Sequence, residues 1–147
     1  MQRNQNLNTM YIPKFFGLAE LINSATAKAI GIANVPTWSV INNMLYLCEH
    51  ILDPVRVIYG KPIHVSSCYR CQSVNAKVGG VSNSQHLQGL AADITATNMS
   101  ALERAIDKNG IYDQFIKETS KNGSFWFHIS IAGEGKNNRQ QKFNLKK

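Results

Sequence analysis

The sequence predicts an α+β fold in which N-terminal helices pack on a small antiparallel sheet. Three observations support this prediction. Helical patterns fill the first part of the chain, strand patterns dominate the second part, and short turn signals separate the strands. The length of 147 residues fits one domain, and an apolar fraction of 44% is enough to form a core without disulfides.

Two helical patterns precede the strands. Apolar residues and alanines recur at roughly helical spacing over residues 15–30, which predicts a short helix. The clearer pattern covers residues 37–52, where Thr37 is a suitable N-cap and apolar residues form a broad face. Pro54 should break or kink this helix, although the pattern allows a helical continuation to residue 58.

The second part of the chain contains the strand patterns. Strands are predicted over residues 63–67, 91–95, 112–118 and 125–131. A helix is predicted over residues 99–108, because a good capping residue precedes it and Asn109-Gly110 closes it. Residues 71–84 are rich in Gly, Ser and Asn, and we expect mainly loop there, with one helical turn before the glycines.

The last predicted strand has two different faces. Because side chains alternate along a strand, Phe127 and Ile129 point to one side while Trp126 and His128 point to the other. The apolar side predicts the core. His128 is therefore expected on a face that can line a cleft.

The charge is distributed unevenly. The net charge is +7, and residues 133–147 contain five Lys or Arg and one Glu. We predict an N-terminal arm over residues 1–14, a single domain over residues 15–132, and a basic C-terminal tail over residues 133–147 that is solvated and frays. A basic surface favours anionic partners, but the absence of any nucleic-acid-binding motif argues against nucleic acid as a partner.

The cysteines do not form a recognisable framework. Cys68 and Cys71 make a C-x-x-C pair, and Cys48 is the third cysteine. A structural zinc site would need two more ligands, and a redox motif would need a thioredoxin-like context. We therefore expect ordinary buried or half-buried thiols.

One segment carries residues suited to metal chemistry. His86 and Asp93 lie seven positions apart, and His128 follows on the last predicted strand. Two imidazoles and a carboxylate are a suitable ligand set for zinc, and three protein ligands leave the fourth position open, as in catalytic zinc sites. From spacing alone, a structural role for these histidines is the more common outcome.

The order of these residues resembles a known family. Residues 84–93 carry S-x-H-x-x-G-x-A-x-D, residues 126–128 carry W-x-H, and residues 67–70 stand where the family commonly has S-G-Y-R. The chain is similar to the zinc D-alanyl-D-alanine carboxypeptidase family of the VanY type, which includes phage endolysins that cut peptidoglycan stem peptides. The resemblance covers about residues 15–131 and implies a hedgehog/D,D-peptidase-like fold.

The resemblance implies a metal centre and a catalytic arginine. His86, Asp93 and His128 match the Zn²⁺ ligands of the family. Arg70 matches the arginine that binds substrate and steadies the developing oxyanion, a role that suits a permanently charged guanidinium.

Three further residues receive roles from the same resemblance. Ser84 is expected to support the substrate or the metal shell, and Trp126 to bind substrate. Gly89 is expected to permit tight packing beside the site.

The general base is harder to assign. Many relatives place an acid three positions before the second His, where this chain has Phe125. A short subgroup has D-Q-x-I-x-E instead, which residues 113–118 match. Glu118 is therefore the candidate base, and Asp113 is the alternative.

The resemblance implies zinc-dependent hydrolysis of an amide bond in the peptidoglycan stem peptide. The protein is expected to act as a monomer. Action as a D,D-carboxypeptidase or as an L-Ala-D-Glu endopeptidase would use nearly the same centre, so the choice of bond stays open. The alternative is a non-catalytic zinc-bearing binding domain of the same fold, since the acid before His128 is missing.

The sequence also suggests where the protein acts. It has neither a stretch of about 18 apolar residues nor a start with the apolar core of a secretory signal, so we expect no transmembrane segment and synthesis in the cytoplasm. A wall hydrolase of this kind would act after lysis, after partner-dependent export or after virion delivery. A phage or prophage endolysin fits this expectation best.

Overall fold

The computed structural model describes residues 10–147 and confirms the predicted α+β class. The helices are α1 (Leu18–Ile22), α2 (Ala25–Ile30), α3 (Trp38–Leu47), α4 (Asp53–Tyr59), α5 (Gln72–Lys77) and α6 (Met99–Asn109). The strands are β1 (His64–Ser67), β2 (Ala91–Thr95), β3 (Gln114–Thr119), β4 (Phe125–Ser130) and β5 (Gln141–Lys146). None of the helices within the described residues has the length and apolar character that a membrane crossing requires.

The five strands form one sheet in the order β1-β2-β4-β3-β5. The first three neighbouring pairs are antiparallel, as predicted, whereas β5 runs parallel to β3. The core lies between one face of this sheet and the helices α3, α4 and α6, where Leu47, Ile94, Leu102 and Ile129 are fully buried.

Strand β5 corrects the prediction of a fraying tail. Residues Gln141–Lys146 pair with β3 along its whole length, and the backbone N–H of Lys147 donates to the carbonyl of Thr119 at 2.9 Å. The open edge of β3 offers unpaired backbone groups, which a neighbouring segment can satisfy. Phe143 and Leu145 alternate with polar residues, but this pattern is short, and all side chains of β5 are exposed rather than packed in the core.

The long helix continues through Pro54 instead of breaking there. Residues Cys48–Leu52 form a π-helical turn between α3 and α4. Proline has no N–H, so the carbonyl of His50, four residues earlier, loses its helical donor. The side-chain amide of Asn109 replaces that donor at 3.0 Å, and the chain stays helical to Tyr59.

The N-terminal helices also differ from the prediction. The predicted helix over residues 15–30 is two helices, because Ser24 caps the start of α2 by accepting a bond from the N–H of Ala27 at 3.0 Å. Residues 72–77 form the full helix α5, where mainly loop was expected.

The predicted N-terminal arm is only partly described, because residues 1–9 lie outside the described residues. At its end, the Asp53 carboxylate accepts bonds from the Tyr11 hydroxyl and from the backbone N–H groups of Lys14 and Phe15.

Candidate functional site

A short turn positions His86. Residues Gln85–Gln88 form one turn of 3₁₀-helix, in which the Ser84 hydroxyl accepts a bond from the N–H of His86 at 3.2 Å. Gly89 ends the turn at a φ of +72°, and a Cβ atom there would lie 2.8 Å from the backbone oxygen of Val40. The glycine therefore lets the turn press against α3, as predicted.

Strand register positions the other two predicted ligands. Asp93 on β2 is directly opposite His128 on β4, and His128 is directly opposite Ile116 on β3. Side chains at opposed positions of antiparallel strands point to the same face. Asp93 and His128 therefore project together from the face that does not carry the apolar core.

The structure brings the three predicted metal ligands together. Nε2 of His86 and Nδ1 of His128 each lie 3.3 Å from Oδ1 of Asp93. Candidate ligand atoms of all three residues lie within 4.8 Å of one another, and all three side chains are buried. Two ligand atoms bound tetrahedrally to one zinc ion would be about 3.3 Å apart, given bonds of about 2.0–2.1 Å.

The protonation of His86 suits a metal. Its Nδ1 lies 2.7 Å from the carbonyl oxygen of Cys68, and because a carbonyl can only accept, Nδ1 carries the proton. In the neutral ring Nε2 then presents a lone pair, and this atom is buried with no hydrogen-bond partner among the described residues. A buried lone pair that faces a carboxylate oxygen calls for a cation between them.

Asp93 is held in its charged form. Burial by itself would raise the pKa of this carboxyl group, but the neighbouring imidazoles of His86 and His128 hold the pKa well below its usual range. The guanidinium of Arg70 also donates to Oδ2 of Asp93 at 2.8 Å and to the Ser67 hydroxyl at 2.9 Å. Arg70 thus fixes the second oxygen of a predicted ligand, a contact that the sequence did not indicate.

A cleft of about 520 Å³ opens beside these residues. Its walls include the predicted site residues Arg70, Ser84, His86, Glu118 and His128. The walls also include Arg139, Leu145 and Lys147 from the segment that was expected to fray. Arg70 and Ser84 are therefore both accessible to a substrate in the cleft, as their predicted roles require.

Glu118 occupies a suitable place for a base. It is 7% exposed and lies on β3 opposite Trp126, two residues along from Ile116. It is therefore a diagonal neighbour of His128 on the same face, at a Cα separation of about 7–8 Å that a long side chain spans.

Asp113, the alternative base, has a different environment. Its carboxylate accepts bonds from Nη2 of Arg139 at 2.6 Å and from the Gln85 amide at 3.0 Å, and it is not among the residues that line the cleft. Burial opposes its ionisation, but the bonds from Arg139 lower the pKa of Asp113 below its ordinary value. The structure therefore favours Glu118 over Asp113 as the base.

Trp126 does not line the cleft, although His128 on the same strand does. Its ring centroid lies 5.8 Å from the ammonium of Lys147, and its indole N–H is buried without a hydrogen-bond partner among the described residues. Its substrate-binding role stays a prediction.

The cysteines match the prediction of ordinary thiols. Cys48 and Cys68 are buried, Cys71 is half-buried, and all three are free. Burial raises the pKa of the Cys68 thiol to about 12, so this thiol stays protonated at neutral pH. The site uses the backbone carbonyl of Cys68, not its sulfur.

A comparison with models of known protein families identifies the family of this chain. A family model described as Peptidase M15 matches residues 14–130, which contain all three predicted ligands, Arg70 and Glu118. No curated protein matches the chain. Strand β5 and the segment that leads into it follow the matched region.

Proposed function

Because the chain belongs to the peptidase M15 family of zinc metallopeptidases, which act on peptidoglycan, we propose that it hydrolyses one amide bond of the peptidoglycan stem peptide. The bond is that of a D,D-carboxypeptidase or of an L-Ala-D-Glu endopeptidase. The observation that supports this proposal best is the convergence of His86, Asp93 and His128 in a cleft that also presents a carboxylate.

The donor set fits zinc. His86 would bind through Nε2, whose lone pair is buried without a hydrogen-bond partner among the described residues, together with Asp93 and His128. Bound zinc polarises the substrate carbonyl and lowers the pKa of water, which supplies a nucleophile at neutral pH. The Cys68 carbonyl and Arg70 hold two of these ligands in place.

Glu118 supplies the proton transfers in this proposal. Its carboxylate accepts a proton from the attacking water and then delivers that proton to the nitrogen of the leaving amine. Phe125 stands where many relatives carry an acid, and the neighbouring strand β3 provides the carboxylate instead.

Arg70 contributes to charge stabilisation. Its side chain lines the cleft and is 14% exposed, so it reaches both Asp93 and the space where a substrate carbonyl would lie. Negative charge develops on that carbonyl oxygen during attack, and a fixed guanidinium stabilises it more strongly there than in water.

We propose an endolysin-type role, in which the protein is made in the cytoplasm and reaches the wall after lysis, with an export partner or in a virion. The net charge of +7 supports contact with anionic wall material.

The test is product release from purified peptidoglycan, read by mass spectrometry, with bound zinc measured on the same samples. We expect the wild type to release fragments whose masses identify the bond, and His128→Ala to release none. His64→Ala is the matched control, because His64 is exposed on β1 and should leave activity unchanged. Wild-type protein that binds one equivalent of zinc and releases no product would instead be a non-catalytic binding domain.

A further inference from the structure

The segment that follows the family match forms part of the cleft. The match ends at residue 130, whereas β5 spans Gln141–Lys146 and pairs with β3, the strand that carries Glu118. In this parallel pairing Leu145 is the partner of Glu118. Residues 141–146 are thereby fixed beside the strand that carries the predicted base.

Lys147 makes a direct contact with that base. Its ammonium lies 3.4 Å from Oε2 of Glu118, and its backbone N–H is anchored to the Thr119 carbonyl at 2.9 Å. The Glu118 side chain is 10% exposed and the Lys147 side chain 48% exposed. A nearly buried carboxylate therefore has a cation on its open side.

Neighbouring lysines of this segment differ in direction. Leu145 and Lys147 line the cleft, whereas Lys146, which lies between them, does not. This difference follows from the alternation of side chains along a strand. Lys146 is therefore a suitable control, because it is a lysine of the same segment whose side chain does not line the cleft.

We propose that Lys147 is a positioning residue that holds the Glu118 carboxylate in its working orientation, a role that rests on the proposed function. The ammonium attracts one carboxylate oxygen and leaves the other oxygen directed at the water. A glutamate side chain has three rotatable bonds, and a displacement of about 1 Å at a catalytic group costs up to about 100-fold in rate.

The test compares Lys147→Met, Lys147→Arg and Lys146→Met on the stem peptide that the wild type cleaves. We expect Lys147→Met to lower kcat about tenfold with KM unchanged within about twofold, because the substrate still binds but the base is misplaced. Lys147→Arg should keep most of the activity, and Lys146→Met should match the wild type.

Three results would overturn the role of Lys147. A rise in KM with unchanged kcat would show that Lys147 binds substrate. An equal loss in Lys146→Met would show a general effect of charge on the segment. Unchanged kcat and KM in Lys147→Met would show that the contact has no effect on the reaction.

A second measurement tests the contact without any substrate. Lys147→Met should lower the thermal midpoint by about 1–3 °C in the wild-type background and by clearly less in the Glu118→Gln background, where only the contact of Lys147 with the Trp126 ring remains. Equal shifts in both backgrounds would overturn the ion pair. If zinc-loaded wild-type protein cleaves no stem peptide, both the proposed function and the role of Lys147 fail. If the wild type cleaves the peptide and Lys147→Met cleaves it equally well, only the role of Lys147 fails. The two failures are therefore distinguishable.

Discussion

The two regions that build the cleft hold their residues in different ways. The metal-ligand region, residues 84–93 and 126–128, buries its three candidate ligands, and strand register with a glycine-terminated turn fixes their side chains. The C-terminal segment, residues 139–147, is exposed and attached along one edge of β3. Changes in the first region should therefore abolish metal binding or catalysis, whereas changes in the second should produce graded losses.

The contrast predicts the largest effect at Asp93. Asp93→Ala removes the atom on which both histidines converge and leaves Arg70 without its carboxylate. We expect loss of stoichiometric zinc and a fall in activity of at least about 1,000-fold, measured by metal analysis and product release. Asp107→Ala is the control, because Asp107 is a half-exposed helix residue paired with Lys142 at 2.9 Å. Retained zinc in Asp93→Ala would remove Asp93 from the ligand set.

The next effect is expected at Glu118. Glu118→Gln keeps the size of the side chain and removes the base, so kcat should fall by about 100-fold to 10,000-fold while zinc stays bound. Asp113→Asn provides the comparison: it should keep kcat within a few-fold, because the Asp113 carboxylate is bonded to Arg139 and Gln85. The reverse pattern would make Asp113 the base.

A change at Gly89 tests how tightly the ligand turn is packed. A Cβ atom there would approach the Val40 backbone oxygen to 2.8 Å at a φ of +72°. Gly89→Ala should therefore lower the free energy of unfolding by about 2–4 kcal/mol in urea titrations. Gly31→Ala is matched in backbone conformation, with a φ of +70° and open space around it, and should cost only about 1 kcal/mol. Equal costs would mean that packing beside the turn is loose.

The smallest effect is expected at Arg139 in the C-terminal segment. Arg139 lowers the pKa of Asp113 in the folded protein below the unfolded value. The stabilisation is therefore fully present above the unfolded pKa and is lost as the pH falls through the folded one. Since Arg139 is half-exposed, Arg139→Gln should cost only about 1 kcal/mol at pH 7.

Urea unfolding of zinc-free protein measures this pH dependence. The difference between wild type and Arg139→Gln should shrink as the pH falls from 7 to 3, because the unfolded chain takes up a proton at Asp113 at a higher pH than the folded wild type does. Lys136→Gln, three residues before Arg139, controls for the loss of one positive charge. A difference that stays constant with pH would mean that Arg139 stabilises the fold by packing alone.

The sequence predicted correctly those helices and strands whose capping residues, turn residues or apolar alternation lie within or beside the element itself. Strand β2 has the predicted bounds, and α6 extends one residue beyond its prediction to reach Gly110. The Asn98 side chain caps α6 by accepting a bond from the N–H of Ala101 at 3.0 Å. Alternation also placed Phe127 and Ile129 in the core and His128 on the opposite face.

Other features depend on partners that are distant in the chain. Pro54 was expected to break or kink the helix, with a helical continuation to residue 58 allowed, and the chain stays helical to Tyr59 with the Asn109 amide bonded to the His50 carbonyl. Arg70 was expected to bind substrate, and the structure adds a bond from Arg70 to Asp93. Neither partner can be identified from the residues around Pro54 or Arg70.

The sequence by itself determined the fold class from its helical and strand patterns. Its resemblance to a known family supplied the candidate ligands His86, Asp93 and His128 and the candidate base Glu118. Only the tertiary structure decided that the last segment forms strand β5 and that Lys147 reaches Glu118. The physical reason is that β5 is exposed and contributes no buried side chain to the core, so its conformation depends on backbone pairing with the open edge of β3.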